Sequence, residues 1–455
     1  MSKSIKALTA IISFMIIGAA WGLLLTAEAR LQSEQDAIMA VARNFINYGI
    51  YDRAAFTINQ AMALEGELNP NLMYELAQVH RSARSFNQYR NTLQILLDAA
   101  SPPQGMSLAD LYIELYEHDI TTRNIGDVIT LLRQGWETTN DIRLFELYEE
   151  HRYAFIIRRS LFDEASFIWD NAGLVRQGER WGFVNSRGNI VILPQFDNAT
   201  NFMGGNAVVI RNEQLEIINR LGMRQAVAGF SAESIANFDG SNFAAQLHED
   251  YGYMMAARRG LEIIVGDDEF DFMGIPSQHI QVAQRDGLWA IRDRGNRETD
   301  ISSDFTYESI AVDSLGRAAV NYRLFVKENY QYYMIDLAGN QIAGPFDEAQ
   351  PFFEAGGLAA VAIGGKWGLI SASGNMIIDF IYEGARSSGF SFAAVKVDGL
   401  WGYITLENYP EPLREQFFGR MVIEPQFLDA KPFVNGCAPV LGHSGWFYIV
   451  LVEHN

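Results

Sequence analysis

Seven histidines and one cysteine are the side chains best suited to bind a metal or act as a nucleophile, and their placement supports neither role. His80, His118, His151, His248, His279, His443 and His454 are scattered without the close spacing of metal ligands. Cys437 stands alone, so it can form no intramolecular disulfide, and no spacing supplies it with a base. Two further clusters carry charge. Asp267-Asp268-Glu269-Asp271 could offer oxygens to calcium, but it lacks the alternating ligands and glycine of a calcium loop and reads as a solvated turn, with Phe270 and Phe272 suggesting a strand. His248-Glu249-Asp250 reads as surface. The sequence also has no Gly-rich phosphate loop, nucleophile elbow or metal-ligand pair, so the expectation is a non-enzyme with no metal and no cofactor.

Composition narrows the partners. In 455 residues there are 35 Lys+Arg and 55 Asp+Glu, a net charge of −20, which excludes nucleic acid as the main partner because a polyanion requires clustered cations. Lysine is rare: after Lys3 and Lys6 the next is Lys327, followed by Lys366, Lys396 and Lys431. With 49% hydrophobic and 12% aromatic residues, the chain is rich enough in apolar side chains to fold over most of its length.

The N-terminus reads as an address. Lys3 and Lys6 precede an uncharged apolar run over residues 7–27, near the roughly 20 residues needed to span a bilayer. Ala27-Glu28-Ala29 also has the small-x-small pattern of a signal-peptidase site. Residues 1–30 are therefore a signal anchor or a cleaved signal peptide. Either reading places the residues after 30 outside the cytoplasm, the first tethered to the membrane and the second secreted after Ala29.

Residues 31–165 show apolar residues at helical spacing, punctuated by Gly49 and Asn69-Pro70. The segment from Gly49 to Ala55, followed by Ala61, Leu64 and Pro70, resembles the second half of a tetratricopeptide repeat. Weaker copies place Phe86 and Ile125 where the first has Tyr51, giving three degenerate helical pairs and a capping helix over 141–153. The resemblance implies either a peptide-binding groove or a spacer for the next domain.

Residues 166–455 carry a different repeat. Trp181-Gly182, Trp367-Gly368 and Trp401-Gly402 are copies of one another, and Leu215, Tyr251-Gly252, Trp289, Tyr332 and Trp446 fall in register, giving eight units spaced 34 to 45 residues apart. A small residue eight before the aromatic and a β-branched one six before recur as Ala359/Val361, Ala393/Val395, Ala438/Val440 and Ala207/Val209, the period-two mark of one buried strand face. Gly188, Gly222, Gly339 and Gly374 all stand seven after the aromatic, where a positive-φ turn requires glycine. Pro194-Gln195-Phe196-Asp197, Pro345-Phe346-Asp347, Ile381-Tyr382-Glu383 and Pro425-Gln426-Phe427 mark a strand start or edge. Each unit is thus expected to hold three strands.

These elements resemble the WG-repeat family of bacterial β-repeat modules, a resemblance that implies non-catalytic binding or scaffolding. The fold expected is multidomain α plus β: helical hairpins, then an all-β array of eight units, closed as a propeller-like ring or open as a β-solenoid. Closure is suggested because the last unit lacks a third strand, while Phe167 to Ala172 echo Gln195 to Ala199. Trp181, Trp289, Trp367, Trp401 and Trp446, with Gly182, Gly368 and Gly402, are read as packing residues.

Pro425 comes 24 residues after Trp401, whereas Pro194 comes 13 after Trp181, so an insertion over 408–418 projects from the seventh unit. Tyr409, Phe417 and Phe418 make it the candidate binding loop. The function expected is a membrane-tethered scaffold of a bacterial cell envelope that binds another protein. The alternative is a binder of wall glycan or polysaccharide, which would need a row of exposed aromatic rings.

Overall fold

The computed structural model describes residues 29–452, except 65–67, 248–251, 261, 279, 294–301, 315, 354–356, 390, 410 and 412. The apolar run over 7–27, His248-Glu249-Asp250, Tyr251, His279, Pro410, Pro412 and His454 lie outside the described residues, as do the side chains of Asp267 and Asp268. Among the described residues no helix is long and apolar enough to cross a membrane. The chain divides into two compact units after Arg152, which moves the expected boundary at 165 upstream.

The first unit is helical. α1 runs through residues 29–47, followed by α2 (Tyr51–Met62), α3 (Pro70–Ser82), α4 (Phe86–Asp98), α5 (Leu108–Thr122), α6 (Ile125–Thr139) and α7 (Ile142–His151). Tyr51, Phe86 and Ile125 open α2, α4 and α6, the second helix of each expected pair. Local chemistry sets the ends. Asn69 caps α3 ahead of Pro70, Ser107 and Asp110 form a capping box on α5, and Asn140 ends α6 in the left-handed conformation.

Among the described residues of this unit three carboxylates are buried, where water cannot solvate them, and each has protein donors. Glu114 of α5 accepts from Tyr89 Oη and Gln78 Nε2, both at 2.7 Å, and from Tyr74 Oη at 2.8 Å. Asp119 is held by Arg90 at 2.9 Å and Glu149 by Arg152 at 2.6 Å. The first two tie α5 to α3 and α4.

The second unit is eight four-stranded antiparallel sheets, the blades of a β-propeller. In blade 1, β2 (Glu164–Ala165) is followed by the hairpin β3 (Ala172–Gln177) and β4 (Arg180–Asn185) and then by the edge strand β5 (Ile190–Phe196). Blades 2 to 7 repeat this order over 198–231, 234–270, 272–307, 309–346, 348–382 and 384–427. The expected unit of three strands is thus short by one. The missing strand is two or three residues long, too short to show a period, and follows the preceding edge strand almost without a break.

The last blade closes the ring, with a different segment from the one expected. Its fourth strand is β1 (Phe155–Ile157), which pairs with Gly445–Leu451, while Phe162 bridges to Trp446 as Phe196 pairs with Trp181. Residues 167–171 instead lead into β3 through a turn at Asp170-Asn171. The true echo of Phe196-Asp197-Asn198-Ala199 is Phe162-Asp163-Glu164-Ala165.

Apolar clusters sit at all eight blade-to-blade interfaces, including Phe162, Val175, Val184, Cys437, Tyr448 and Val450 between blades 8 and 1. An open array of eight blades would have only seven. Because each blade is covered on both sides, the second strands are buried on both faces: Ala359, Ala360, Val361 and Ala362 are all inaccessible or nearly so. That corrects the expectation of one buried face.

Candidate functional site

Several repeats tie the short strand of the blade to its hairpin in the same way. In blades 4, 6 and 7 a type I′ turn joins the hairpin strands, with positive φ at both central residues in Asp286-Gly287, Gly364-Gly365 and Asp398-Gly399. The acid of the short strand's leading element accepts from that turn: Asp347 from the Gly364 amide at 2.6 Å, Glu383 from Gly399 at 2.8 Å and Asp163 from Gly178 at 2.6 Å. The residue following the short strand donates its amide across to the hairpin, as Arg386 does to Ala394 at 3.0 Å and Lys431 to Pro439 at 3.1 Å.

These eight equivalent positions differ in side chain around the ring. Ser166, Thr200, Ala236, Gly274 and Ala311 are small, whereas Gln350, Arg386 and Lys431 on blades 6, 7 and 8 are long and polar. Together with Asp313 of blade 5 and Phe167 of blade 1, the three line a cavity of 320 Å³. Residues of five blades meet only near the axis. One wall is apolar: Phe167 and Phe353 pack with ring centroids 4.8 Å apart, and Ile275 of blade 4 joins them.

The three polar residues also tie successive blades together. Gln350 Nε2 donates to the Ala385 carbonyl at 3.1 Å, Arg386 pairs with Asp429 at 2.9 Å, and Lys431 Nζ donates to the Ala165 carbonyl at 2.7 Å. Arg386 lies 4.9 Å from the Trp401 ring centre and Lys431 4.7 Å from that of Trp446, so two repeat tryptophans also supply the negative face of a cation–π contact. Burial pulls the Lys431 ammonium below its ordinary range, offset in part by Asp429 and reinforced by Arg386. Arg317 pairs with Asp313 at 2.6 Å and donates to the Phe353 carbonyl at 2.9 Å.

The repeat signature packs between strands and blades. Trp181 pairs with Phe196, Trp367 with Tyr382, Trp401 with Phe427 and Trp289 with Tyr307. In blade 3 the residue in this place is Tyr253, opposite Phe270, and not Tyr251. Glycine follows the tryptophan because the edge strand bulges over it: a Cβ would lie 2.6 Å from the Ile192 carbonyl at Gly182, 2.6 Å from that of Ile378 at Gly368 and 2.5 Å from that of Ile423 at Gly402. Blade 2 has Glu216 there, buried and paired with Arg224. Gly188, Gly222, Gly339 and Gly374 have φ between 71° and 85°, the positive values expected of them.

The candidate binding loop folds inward. Its residues form a short helix, Leu413–Phe417. Tyr409 Oη lies 2.9 Å from Tyr153 Oη, Phe417 is 1% exposed, and Phe418 is half-buried against the core of blades 6 and 7. Apolar rings on a short insertion gain more from covering their own blade than from solvent, and Tyr409 and Phe417 are buried there. Of the acidic cluster, Glu269 lies within the strand Glu262–Phe270, and Asp271 accepts from the Gly287 amide at 3.2 Å. Cys437 is buried, and its thiol is pushed up to about 12 by that burial. The axial residues went unread in the sequence although a signal exists: each follows a recurring alanine, as in Ala349-Gln350, Ala385-Arg386 and Ala430-Lys431.

The family model described as WG containing repeat matches residues 181–213, 334–367, 367–401 and 418–441. These stretches match the WG repeat. Each matched WG repeat straddles two blades, running from the second half of one toward the hairpin of the next, and the match does not extend to the helical unit. No curated protein matches the chain.

Among solved structures, the Hsv2 protein of Kluyveromyces lactis is 8% identical, covering 60% of this chain and 98% of its own, with a TM-score of 0.37. YCF48 from Cyanidioschyzon merolae is 10% identical, covering 66% and 100%, at 0.33. PorZ, titled a bacterial surface component of the type-IX secretion system of Porphyromonas gingivalis, is 7% identical at 0.33; the match covers 63% of this chain and 42% of PorZ. Likenesses this distant say nothing about what the WG repeats here bind.

Proposed function

We propose that the chain is a non-catalytic binding protein of the bacterial cell envelope, held at the membrane by residues 7–27, with its WG-repeat propeller docking another protein. The observation that carries this is an exposed apolar strip across blades 1 and 2. Val191 and Leu193, on one face of β5, are 51% and 69% exposed, and Leu221 and Met223 are 77% and 53% exposed. Gly222, between the latter two, lies against the side chain of buried Ile192, which brings this turn of blade 2 up to β5. Exposed apolar side chains gathered in one place are the usual mark of a protein contact. Their aliphatic character favours a protein over a glycan, for which stacking rings would be needed. The non-catalytic reading is supported by the axial charges, which are engaged in ion pairs and backbone hydrogen bonds. The helical pairs, which we read as degenerate tetratricopeptide repeats, offer a second surface.

The test is capture by the immobilised full chain from an envelope extract divided into protease-treated and untreated halves, repeated with Leu193→Asp/Leu221→Asp. A defined protein retained only from the untreated half, and lost with the double variant, is the expected result. Carbohydrate retained equally from both halves would replace this reading with the glycan binder.

A further inference from the structure

We propose that the axial cavity binds a carboxylate group, held between Arg386 and Lys431 with its organic remainder against Phe167, Phe353 and Pro351. This goes beyond the apolar strip and does not depend on it. Three observations converge on the site. The first is charge in a place where the fold does not require it. Five of the eight equivalent positions carry small side chains, while two adjacent blades carry cations in a chain of net charge −20. Arg317, Arg386 and Lys431 are three cations against the two carboxylates Asp313 and Asp429, which leaves one positive charge, the complement of a monoanion. Among the described residues no carboxylate lies within ion-pair distance of Lys431.

The second is unused donor capacity. Arg386 gives one N–H to Asp429 and Lys431 gives one of its three N–H donors to Ala165, so each cation keeps further donors for an acceptor in the cavity it lines. The third is room. A cavity of 320 Å³ has space for about ten waters at the ~30 Å³ each occupies in the liquid, and its walls combine the two cations with Phe167, Phe353 and Pro351. A guanidinium fork beside an ammonium suits the planar oxygens of a carboxylate, and the apolar wall suits the carbon attached to it.

The group could belong to a free organic acid or to an acidic side chain of a protein. Calorimetric titration of the purified full chain with sodium butyrate, with a blocked Gly-Glu-Gly peptide whose only charge is the side chain, and with inorganic phosphate separates the sources. Saturable binding of butyrate assigns a free acid, and binding of the peptide alone assigns a protein side chain; either supports the site. Lys431→Met is expected to weaken binding at least about ten-fold, the loss of one hydrogen bond to a charged group, with exposed Lys366→Met unchanged. Should Lys431→Met fail to fold, Ser314→Trp, which fills the cavity from an exposed position on its wall, is expected to abolish binding with both cations in place. Phosphate binding more tightly than both carboxylates, no saturable heat with any probe, or full affinity in both variants would overturn the proposal.

Discussion

Both units bury apolar cores, but they differ in how they place buried charge. The helical unit encloses Glu114, Asp119 and Glu149 and satisfies each with a hydroxyl, an amide or a guanidinium. The propeller encloses an aromatic pair in nearly every blade, and where its repeat departs from glycine at Glu216 it must bury a carboxylate with Arg224 beside it. The difference follows from repetition. Helical pairs meet through interfaces that need not be alike, so each can carry its own polar bond. A ring of blades has to present the same pair of faces at every junction, and an apolar face fits any neighbour where a buried charge fits only one partner.

Variants that remove one kind of contact should therefore act on one unit. The largest effect is expected from Phe162→Ala, which empties the junction of blades 8 and 1 and should cost about 3–5 kcal/mol, read as a lower calorimetric midpoint for the propeller. An unchanged midpoint would mean that this junction carries no more load than a loop. Glu114→Gln should cost the helical unit about 2 kcal/mol, because hydrogen bonds to a charged acceptor are replaced by weaker ones. A helical unit that tolerates this change in urea unfolding would erase the contrast drawn above. Gly402→Ala sharpens the propeller side: its Cβ would lie 2.5 Å from the Ile423 carbonyl, and the strain is expected to cost about 1–3 kcal/mol, with no comparable loss for alanine at Gly229, around which space is open.

Alkaline pH should weaken the helical unit through a half-buried phenol. Burial, with the hydrogen bond to Glu114 and its charge adding to it, raises Tyr74 to about 12. Since the folded state favours the neutral phenol, that contribution is intact below pH 10 and is lost as the pH rises through about 12. Tyr74→Phe should flatten the fall in urea midpoint between those values, and an equally steep fall would assign it elsewhere. The smallest effect is expected for Asp347→Asn, which weakens one exposed hydrogen bond to the Gly364 amide and should cost about 0.5–1 kcal/mol.

The sequence carried the period of the propeller but not its phase. Trp-Gly is conspicuous because indole is rare and the pair is fixed in spacing, so a unit drawn from it begins in the third strand of a blade and ends in the second strand of the next. The strand that closes the ring then falls in what looks like the end of the helical domain, and Phe162-Asp163-Glu164-Ala165 goes unnoticed without an aromatic-Gly beside it. Helix starts at Tyr51, Phe86 and Ile125 were legible because amphipathic spacing and turn residues agree there. Buried polar residues were not, since nothing in the period marks Glu114 as inside. The insertion carrying Tyr409 and Phe417 misled for a related reason: aromatic content predicts contact, but length and tether decide whether that contact is made with a partner or with the blade itself.

Closure of the ring by residues 155–165 is the claim on which the axial cavity and the eight equivalent positions rest, and the single cysteine tests it. Cys437 lies in the junction of blades 8 and 1, buried beside Phe162, Val175 and Val184. In a closed ring its thiol in the native full chain should not react with an aromatic disulfide reagent until denaturant unfolds the propeller. Reaction in native buffer at the rate of an exposed thiol would show that blade 1 and the N-terminal strand do not cover it, and would contradict the closed ring.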